Sequence, residues 1–577
     1  MNYKWKYQSL TPPLQEAANK LSAEIGINPI VGSILVKRGI TKARDAKKFF
    51  NPRLTDLHDP FEMKDMDKAV NRLNEAIGMK EKILVYGDYD VDGCTAVTLV
   101  YKFLQEFYSN VEYYIPDRYE DGYGISIRAI DRAISLGVKV IIILDCGIKA
   151  NEEISYAQQH GIDFIVCDHH VPDDELPPAY AILDPKRNDE TYPYHDLSGC
   201  GIGFKLMQGF ALNNGIEFNR LTPLLELCAV SIAADLVPVL GENRILAFHG
   251  LRQLNSNPSV GMQAIINVCG LVDKEIGMPD IIFRIGPRIN ASGRVQNGSE
   301  TIELLIEKDL NQAIEKANRI NTYNEARKDI DRQMTEEANA IVDKITNLDN
   351  RRSIVVYNKE WHKGVIGIVA SRLTELYYRP TVVLALDDDG NLTGSARSVA
   401  GFDIYSGIES CKDLLENFGG HTYAVGLTLK EEHIKEFIRR FEEYVEAHIE
   451  DEQTAASLDI EAELSFSTVT PAFYNELKKL RPFGPQNPEP LFSTCNVYDY
   501  GTSKVVGRGQ EHIKLELVDN KSNNILSGIA FGQSSHARFI KTKRAFNICY
   551  TITENTYKHG EIQLQIEDIQ PANPEQK

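Results

Sequence analysis

Three aspartates follow a short apolar run near residue 85. The segment 84-LVYGDYDVDGCTA-96 places Asp88, Asp90 and Asp92 at alternate positions and then Gly93. Carboxylates this close repel one another unless a cation lies among them, so the spacing indicates a site for a metal, a substrate cation or a proton. Taken alone, the pattern is also typical of a solvated turn, because aspartate and glycine are common turn residues. The segment therefore needs partners elsewhere in the chain.

The elements around this segment predict where those partners lie. Between about residues 80 and 240, short apolar runs rich in β-branched residues alternate with helical patterns, which predicts a parallel sheet with helices on both faces. Ligands of such sheets collect at the carboxyl ends of the strands. The predicted strand segments are 82-KILVYGDYD, 111-VEYYIPDR, 138-VKVIIILDCG and 161-GIDFIVCDHH.

Acidic or histidine residues end three of these runs. They are the Asp88 to Asp92 segment, Asp145 and 168-DHH-170, and Asp235 lies in an apolar helix-to-loop context. Carboxylates and neutral histidines suit Mn²⁺ or Mg²⁺ better than soft metals. The set is large enough for two ions, which about 3.5–4 Å apart can catalyse displacement at a phosphoryl group. A cap, turn or supporting role remains open for any single residue, but the whole set favours a metal site.

The remainder of the chain predicts further α/β and β units. Residues 299–345 are rich in helix formers and contain no proline or internal glycine, whereas from about residue 455 short strands alternate with turns. We expect a helical extension at 1–60, a catalytic domain with a parallel sheet at 61–298, a connector helix at 299–345, a second α/β domain that binds substrate at 346–450, a small β-barrel of the OB type that binds nucleic acid at 451–570, and a disordered tail at 571–577.

Composition excludes some function classes. The nine cysteines contain no C-x-x-C pair, which argues against a structural zinc site. The first residues lack an apolar signal region and no long uncharged apolar run follows, so we expect a cytoplasmic protein without membrane association. A net charge of −19 counts against a polyanionic partner, but carboxylates neutralised by metals are included in that sum.

Four motifs in this order resemble those of the DHH phosphoesterase family. They are GDYDVDG, LDCG, DHH and AADLVP. Within this family the chain is similar to the bacterial exonucleases specific for single-stranded DNA, and this resemblance covers nearly the entire chain. The additional matching segments are PDRYEDGYG (116–124), GPRINASGR (286–294), GGHTYAVG (419–426) and RPFGPQNPEPLF (481–492).

The resemblance implies an enzyme that removes 5′-mononucleotides from the 5′ end of single-stranded DNA with two Mn²⁺ or Mg²⁺ ions, in recombination, repair and mismatch repair. It also implies a monomer that works with single-strand-binding protein and a helicase. The implied metal ligands are Asp90, Asp92, Asp145, His169 and Asp235, with Asp88 as a further candidate. Asp145 would bridge the ions. Asp168 would orient His169, since a carboxylate commonly fixes the tautomer of a ligand histidine, and His170 would face the scissile phosphate as a donor or acid.

A second set of residues would bind the phosphate backbone. The segment 281-IIFRIGPRINASGR-294 carries three arginines and no carboxylate, and its small residues allow a close approach to phosphate. A solvated loop is the alternative for this segment, a salt bridge to Asp121 is the alternative for Arg118, and a structural role is the alternative for His421. With the resemblance, the predicted DNA-binding residues are Arg118, Arg288, Asn290, Arg294, Ser371, Arg372, Ser395, Arg397, Gly420 and His421.

Two other functions compete with the exonuclease. A phosphodiesterase of the same family that acts on small nucleotides would not need the barrel or the arginine-rich segment. A non-catalytic protein that binds single-stranded DNA would be expected to lack metal ligands, and all of the family's ligands are present in this sequence.

Overall fold

The computed structural model describes residues 3–117, 121–122, 124–295, 298–345, 348–387, 390–555 and 560–572. The N-terminal extension is helical, as predicted, but it also contains one short strand. Its elements are β1 (Lys4–Tyr7), α1 (Pro12–Ile25), α2 (Pro29–Lys37) and α3 (Ala43–Phe50).

The predicted parallel sheet of the catalytic domain is confirmed. Its strands are β2 (Lys82–Gly87), β3 (Val111–Tyr114), β4 (Val138–Leu144), β5 (Asp163–Cys167) and β6 (Ala181–Leu183). They lie in the order β3-β2-β4-β5-β6 and every neighbouring pair is parallel. The carboxyl ends of all the strands therefore meet at one edge of the sheet. The helices of this part are α4 (Met66–Gly78), α5 (Val91–Gln105), α6 (Ile127–Ser135) and α7 (Asn151–Gln159).

Helices complete the catalytic domain and connect it to the next one. They are α8 (Gly199–Asn213), α9 (Leu225–Ala234), α10 (Gly241–Ser256), α11 (Val260–Val268), α12 (Met278–Asp280), α13 (Gly286–Val295), α14 (Ser299–Leu305) and α15 (Leu310–Val342). The predicted connector thus consists of two helices, α14 and α15. The break arises where Asp309 caps α15, because its carboxylate accepts a hydrogen bond from the backbone of Gln312 at 2.9 Å.

The second α/β domain contains a mixed sheet. Its strands are β7 (Ile354–Tyr357), β8 (Thr381–Leu386), β9 (Leu392–Arg397), β10 (Leu415–His421) and β11 (Ala424–Leu429), and its helices are α16 (Ile366–Tyr377), α17 (Ile404–Glu409) and α18 (Ile434–His448). The strand order is β10-β11-β9-β8-β7, and only β7 and β8 are parallel.

The C-terminal part forms the predicted small barrel. Its strands are β12 (Ser457–Ile460), β13 (Ala462–Glu463), β14 (Phe492–Asp499), β15 (Lys504–Val506), β16 (His512–Asp519), β17 (Ile525–Ala530), β18 (Phe546–Glu554) and β19 (Ile562–Pro571), with α19 (Pro471–Lys478) and α20 (Ala537–Ile540). Pairing of β14 with β16 closes the sheet. Strand β19 extends to Pro571, one residue into the predicted tail, and residues 573–577 lie outside the described part.

The N-terminal extension packs against the barrel. Strand β1 pairs with β12, and the buried side chains of α1, α2 and α3 share one apolar core with the barrel strands. Arg244 on α10 joins three parts of the chain: its buried guanidinium donates to the backbone carbonyls of Phe49 at 3.0 Å and Arg481 at 2.7 Å. No helix of the described residues is long and apolar enough to cross a membrane.

Candidate metal centre and substrate cleft

The carboxyl ends of β2, β4 and β5 and the end of α9 bring all six predicted metal ligands together. Each of three groups has one potential ligand atom per residue within 4.8 Å of the others. The groups are Asp88, Asp90 and Asp145; Asp92, His169 and Asp235; and Asp145, His169 and His170. Asp145 and His169 each belong to two groups, so they lie at the middle of the cluster.

Asp90 begins helix α5. Its carboxylate accepts a hydrogen bond from the backbone of Gly93 at 3.0 Å, which caps the helix. Burial and the charge of Asp92 raise the pKa of Asp90. Gly93 allows the tight turn, because a Cβ at this position would lie 2.3 Å from the carbonyl oxygen of Asp88. The D-x-D-x-D-G spacing is therefore a strand-to-helix turn that directs carboxylates into one site.

Asp92 is held by the beginning of helix α8. Its two carboxylate oxygens accept hydrogen bonds of 2.7 Å from the backbone of Gly199 and Cys200, and the Ser231 hydroxyl donates a further one at 2.7 Å. Backbone N–H groups at a helix N-terminus favour a negative charge. These contacts fix the orientation of a carboxylate that is almost fully buried.

Asp145 lies directly after β4 in the left-handed region, with φ of 61°. Its backbone N–H donates to the carbonyl of Cys167 at 2.9 Å. Helix α8 approaches it so closely that a Cβ on Gly199 would lie 2.7 Å from the Asp145 Cβ. Burial and the charges of Asp92, Asp90 and Asp235 raise the pKa of Asp145 well above its ordinary value. Several carboxylates that repel one another thus meet at this position.

His169 faces the carboxylates through Nε2. This nitrogen lies 3.1 Å from Asp145 Oδ1 and 3.6 Å from Asp235 Oδ2. Burial lowers the pKa of His169, which favours the neutral ring that binds metals. Burial and the charges of Asp92 and Asp90 raise the pKa of Asp235 to about 8.

The residues present fit a pair of divalent cations. Among the described residues, no lysine or arginine lies within ion-pair distance of Asp90, Asp92, Asp145 or Asp235. Buried carboxylates without a compensating cation are costly, whereas a hard divalent ion would offset their repulsion.

The structure corrects the predicted role of Asp168. Its Oδ1 accepts a hydrogen bond from the ring of His170 at 2.7 Å, whereas His169 contacts it only through the backbone N–H at 2.7 Å. Its Oδ2 accepts from the backbone of Ile148 at 3.0 Å. Burial lowers the pKa of His170, but the hydrogen bond and charge of Asp168 outweigh it and raise this pKa to about 9. Asp168 therefore orients the ring of His170 and not that of His169.

Helix α13 packs against the metal centre. A Cβ on Gly293 would lie 2.7 Å from the carbonyl oxygen of Tyr89, between two of the aspartates. Asn290 is half-buried, and its side chain makes no hydrogen bond to a described residue. Arg288 donates to the Asn321 side chain on α15 at 2.8 Å and so contributes to helix packing. The backbone of Arg294 belongs to α13, and its side chain lies outside the described part of the structure, as does all of Arg118.

The second α/β domain contributes a polar cavity of about 540 Å³. Ser395 and Arg397 of β9 line it, and they are hydrogen-bonded to each other at 2.8 Å. Ser371 and Arg372 do not line it, because the Ser371 hydroxyl donates to the carbonyl of Gly367 at 3.1 Å and Arg372 donates to Asp331 on α15 at 2.7 Å.

Gly420 and His421 are exposed at the end of β10, next to the turn into β11. Burial and the charges of His170, Lys149 and Lys186 lower the pKa of His421. These three residues belong to the catalytic domain, so charges of that domain contribute to the lowered pKa of His421.

Asp184 and Lys186 follow strand β6 at the same edge of the sheet, and they are absent from the predicted site residues. Burial raises the pKa of Asp184 to about 7, and its Oδ1 accepts a hydrogen bond from the backbone of Lys186 at 2.8 Å. A sequence pattern could have pointed to them. Both charged residues closely follow the apolar run 181-AIL, and this run forms a further parallel strand of the sheet.

Comparisons with known proteins agree with this architecture. The model of the DHH family N-terminal domain matches residues 82–232, that of the DHHA1 domain matches 350–447, and that of the RecJ OB domain matches 460–568. The single-stranded-DNA-specific exonuclease RecJ of Escherichia coli is 31% identical over 562 residues, which cover 94% of this chain and 96% of that protein. The chain belongs to the RecJ family.

Other RecJ proteins extend this relationship. RecJ of Bacillus subtilis is 36% identical over 520 residues, and the match covers 90% of this chain but 65% of that relative. A crystal structure of RecJ from Thermus thermophilus in complex with Mn²⁺ superposes with a TM-score of 0.84 at 25% identity, covering 99% of this chain and 80% of that one. Because the superposition covers nearly the whole chain, the likeness to RecJ extends through all of its domains.

Proposed function

We propose that this chain is a metal-dependent exonuclease that hydrolyses single-stranded DNA from its 5′ end and releases 5′-mononucleotides. The observation that carries the proposal is the complete ligand set at the strand ends of a RecJ-family chain. The Mn²⁺ in the related crystal structure supports Mn²⁺ or Mg²⁺ as the ions.

The six ligand residues would hold two ions, which when bound activate the attacking water and offset the charge that develops on the phosphate. The chain's own residues then orient the reaction. Asp92 stays in one position because α8 and Ser231 hold both of its oxygens. Asp145 belongs to two of the three groups of potential ligand atoms, which supports the proposal that its carboxylate would be shared by both ions.

His170 would supply a proton to the leaving group. Asp168 engages its Nδ1, so Nε2 is directed away from that carboxylate, and 32% of the His170 side chain is exposed. Hydrolysis breaks the bond between phosphorus and the 3′ oxygen of the terminal nucleotide, and this oxygen must gain a proton. A protonated imidazole held by a carboxylate is suited to donate it.

The small-nucleotide phosphodiesterase fits the structure less well. Its substrate would use the metal centre but not the C-terminal barrel, which is matched by the RecJ OB domain model. A non-catalytic binding protein fits less well again, because the ligand atoms converge within 4.8 Å of one another. The family also supports a cytoplasmic monomer that works with single-strand-binding protein and a helicase, which we propose on that basis alone.

The test is Mn²⁺-dependent release of mononucleotides from single strands labelled at either end, compared with duplex DNA and a dinucleotide. We expect the label at the 5′ end to leave first as a mononucleotide, and only from single strands of DNA. Preference for the dinucleotide over long strands would support the small-nucleotide enzyme. Binding without hydrolysis under Mn²⁺ and Mg²⁺ would support the non-catalytic protein.

A further inference from the structure

The connector helix α15 has a polar middle between two apolar ends. Near its start, the buried side chains belong to the core of the catalytic domain, and near its end they belong to a core of the second domain. Between these ends the inner face carries Asn324, Arg327 and Asp331, which are three and four residues apart. Asn324 and Asp331 are fully buried, and Arg327 is half-buried. Buried polar groups are costly without hydrogen bonds, so each of the three needs a partner.

Asn324 and Arg327 have no such partner. Neither polar atom of the Asn324 side chain makes a hydrogen bond to a described residue, although the residue is 0% exposed. Arg327 makes no hydrogen bond or ion pair within the described part of the chain, and its Nε is buried. Burial also lowers the pKa of Arg327, so its charge is partly withdrawn from water. A guanidinium and an amide one helical turn apart, both without partners, indicate a site for an anion.

Neighbouring helices fix α15 on both sides of Arg327. Six residues before it, the Asn321 side chain accepts a hydrogen bond from Arg288 of α13 at 2.8 Å. Four residues after it, Asp331 accepts one from Arg372 of α16 at 2.7 Å. These two contacts are about 15 Å apart along the helix, and Arg327 lies between them. Within the described ranges, the three arginines have one carboxylate partner, Asp331, so positive charge is in excess here.

The two neighbouring helices reach the surfaces that would hold the substrate. Helix α13 borders the metal centre, because its Gly293 lies against the carbonyl of Tyr89. Helix α16 borders the polar cavity of the second domain. A Cβ on Gly367, in its first turn, would lie 3.0 Å from Arg397 Nη2 and 3.1 Å from Ser395 Oγ. Arg327 therefore lies where the helix beside the metal centre and the helix beside the cavity both meet the connector.

We infer that Arg327 binds a backbone phosphate of the single strand at the junction of α13, α15 and α16, with Asn324 as its positioning residue. The inference rests on the proposed exonuclease function. The phosphate is not the scissile one, because α15 carries none of the candidate metal ligands. Helical side chains lean towards the N-terminus of their helix, so Arg327 extends over the turn of Asn324. With the strand bound, Asn324 Oδ1 would accept a hydrogen bond from Arg327 Nε, which leaves both Nη groups for the phosphate.

The experiment measures how tightly a labelled 5′-phosphorylated decanucleotide binds in EDTA across a salt titration, and how fast it is cleaved at saturating Mn²⁺. The variants are Arg327→Met, Arg327→Lys and Asn324→Leu. Arg332→Met is the matched control, because it removes an arginine of the same helix whose exposed side chain pairs with Asp329 at 2.8 Å. Chemical denaturation of each variant without DNA separates a loss of binding from a loss of folding.

We expect Arg327→Met to weaken binding about tenfold, as for the loss of one charged contact. The slope of log binding constant against log salt concentration should fall by about 0.7. The value of kcat/KM should fall by the same factor, while kcat and Mn²⁺ affinity stay within about twofold, because Arg327 does not touch the reacting atoms. Arg327→Lys should keep the slope but recover only part of the affinity, since lysine lacks the forked donors. Arg332→Met should have little effect.

Asn324→Leu should change folding and binding in opposite directions. Leucine has a similar volume and removes two buried polar atoms that have no partner, so the denaturation midpoint should rise. Binding should weaken about threefold because Arg327 loses its support, and the salt slope should not change because no charge is lost. A lower midpoint with unchanged binding would show that Asn324 is only structural and would overturn its positioning role.

Unchanged binding and salt slope in Arg327→Met would overturn the inference, as would an equal loss in Arg332→Met or a weaker Mn²⁺ affinity. A lower denaturation midpoint with lost binding in both Arg327 variants would show a role in folding and would also overturn it. If the unaltered protein binds the strand but releases no nucleotide, the proposed function fails while binding in EDTA still tests Arg327. If it does not bind the strand at all, both are refuted.

Discussion

Replacement of Gly199 by alanine should disable the metal centre of a folded protein. The new Cβ would lie 2.7 Å from Asp145 Cβ, 2.9 Å from its Oδ1 and 3.0 Å from its Cα. Non-bonded carbon atoms normally lie about 3.5–4.0 Å apart, so Asp145 or the beginning of α8 must move by about 1 Å. Neither is free to do so, because the Gly199 backbone also donates to Asp92 at 2.7 Å.

A displacement of about 1 Å in a catalytic group can lower the rate about a hundredfold. We therefore expect Gly199→Ala to reduce kcat about a hundredfold and to weaken Mn²⁺ binding, because two ligands move together. Overpacking itself should lower the free energy of unfolding by about 1–3 kcal/mol. The assay is mononucleotide release from a single strand across a Mn²⁺ titration, with thermal unfolding measured alongside.

Gly209→Ala is the matched control. It overpacks the same helix, but its Cβ would meet the flexible Met66 side chain, with the sulfur 3.0 Å away, far along α8 from the ligands. It should lower stability comparably while activity stays within about twofold. Near-normal activity and Mn²⁺ affinity in folded Gly199→Ala would refute the idea that α8 sets the position of Asp145.

Four other substitutions should change activity, stability or DNA binding in ways that can be measured. Asp145→Ala should abolish hydrolysis with little change in the folded state, as measured by release assays and circular dichroism, and near-normal turnover would contradict the two-ion centre. His170→Ala should lower kcat more than Mn²⁺ affinity, and a collapse of metal binding would instead make His170 a ligand. Arg244→Met should lower the free energy of unfolding by about 3 kcal/mol, because the carbonyls of Phe49, Leu480 and Arg481 lose their hydrogen-bond donor. An unchanged midpoint of chemical denaturation would contradict this expectation. Arg294→Ala should impair cleavage of all single-stranded substrates and reduce the slope of log binding constant against log salt concentration by about 0.7. An unchanged slope would show that Arg294 does not contact a phosphate.

The sequence alone was sufficient to predict the parallel sheet and the approach of the candidate ligands at its edge. Asp88, Asp90 and Asp92 follow one apolar run and Asp145 and His169 follow two others. In a parallel sheet all strands end at the same edge, and these residues converge because β2, β4 and β5 are neighbours in the sheet. The same argument also applies to Asp184 and Lys186, which follow β6, although the predicted site did not include them.

Tertiary structure decided which partners these side chains have. The contacts of Asp92 come from residues 107, 108 and 139 positions away, and no local pattern encodes such pairs. Arg288 and Arg372, whose DNA binding stays a prediction, contact the connector helix α15 through Asn321 and Asp331. A forked guanidinium suits a phosphate and a buried side-chain oxygen equally well, so its sequence context cannot distinguish them.

His169 and His170 show most clearly what the sequence determines and what the tertiary structure decides. The sequence placed both rings after β5, beside Asp168, and a carboxylate next to a histidine indicates orientation of a ring. Which ring it orients depends on backbone torsion angles, and the structure turns Nε2 of His169 towards Asp145 at 3.1 Å while Asp168 binds the ring of His170 at 2.7 Å. Residue type and spacing thus determined the chemistry available at this edge of the sheet, whereas the packing of α8, α9 and the strand-end loops determined the role of each side chain.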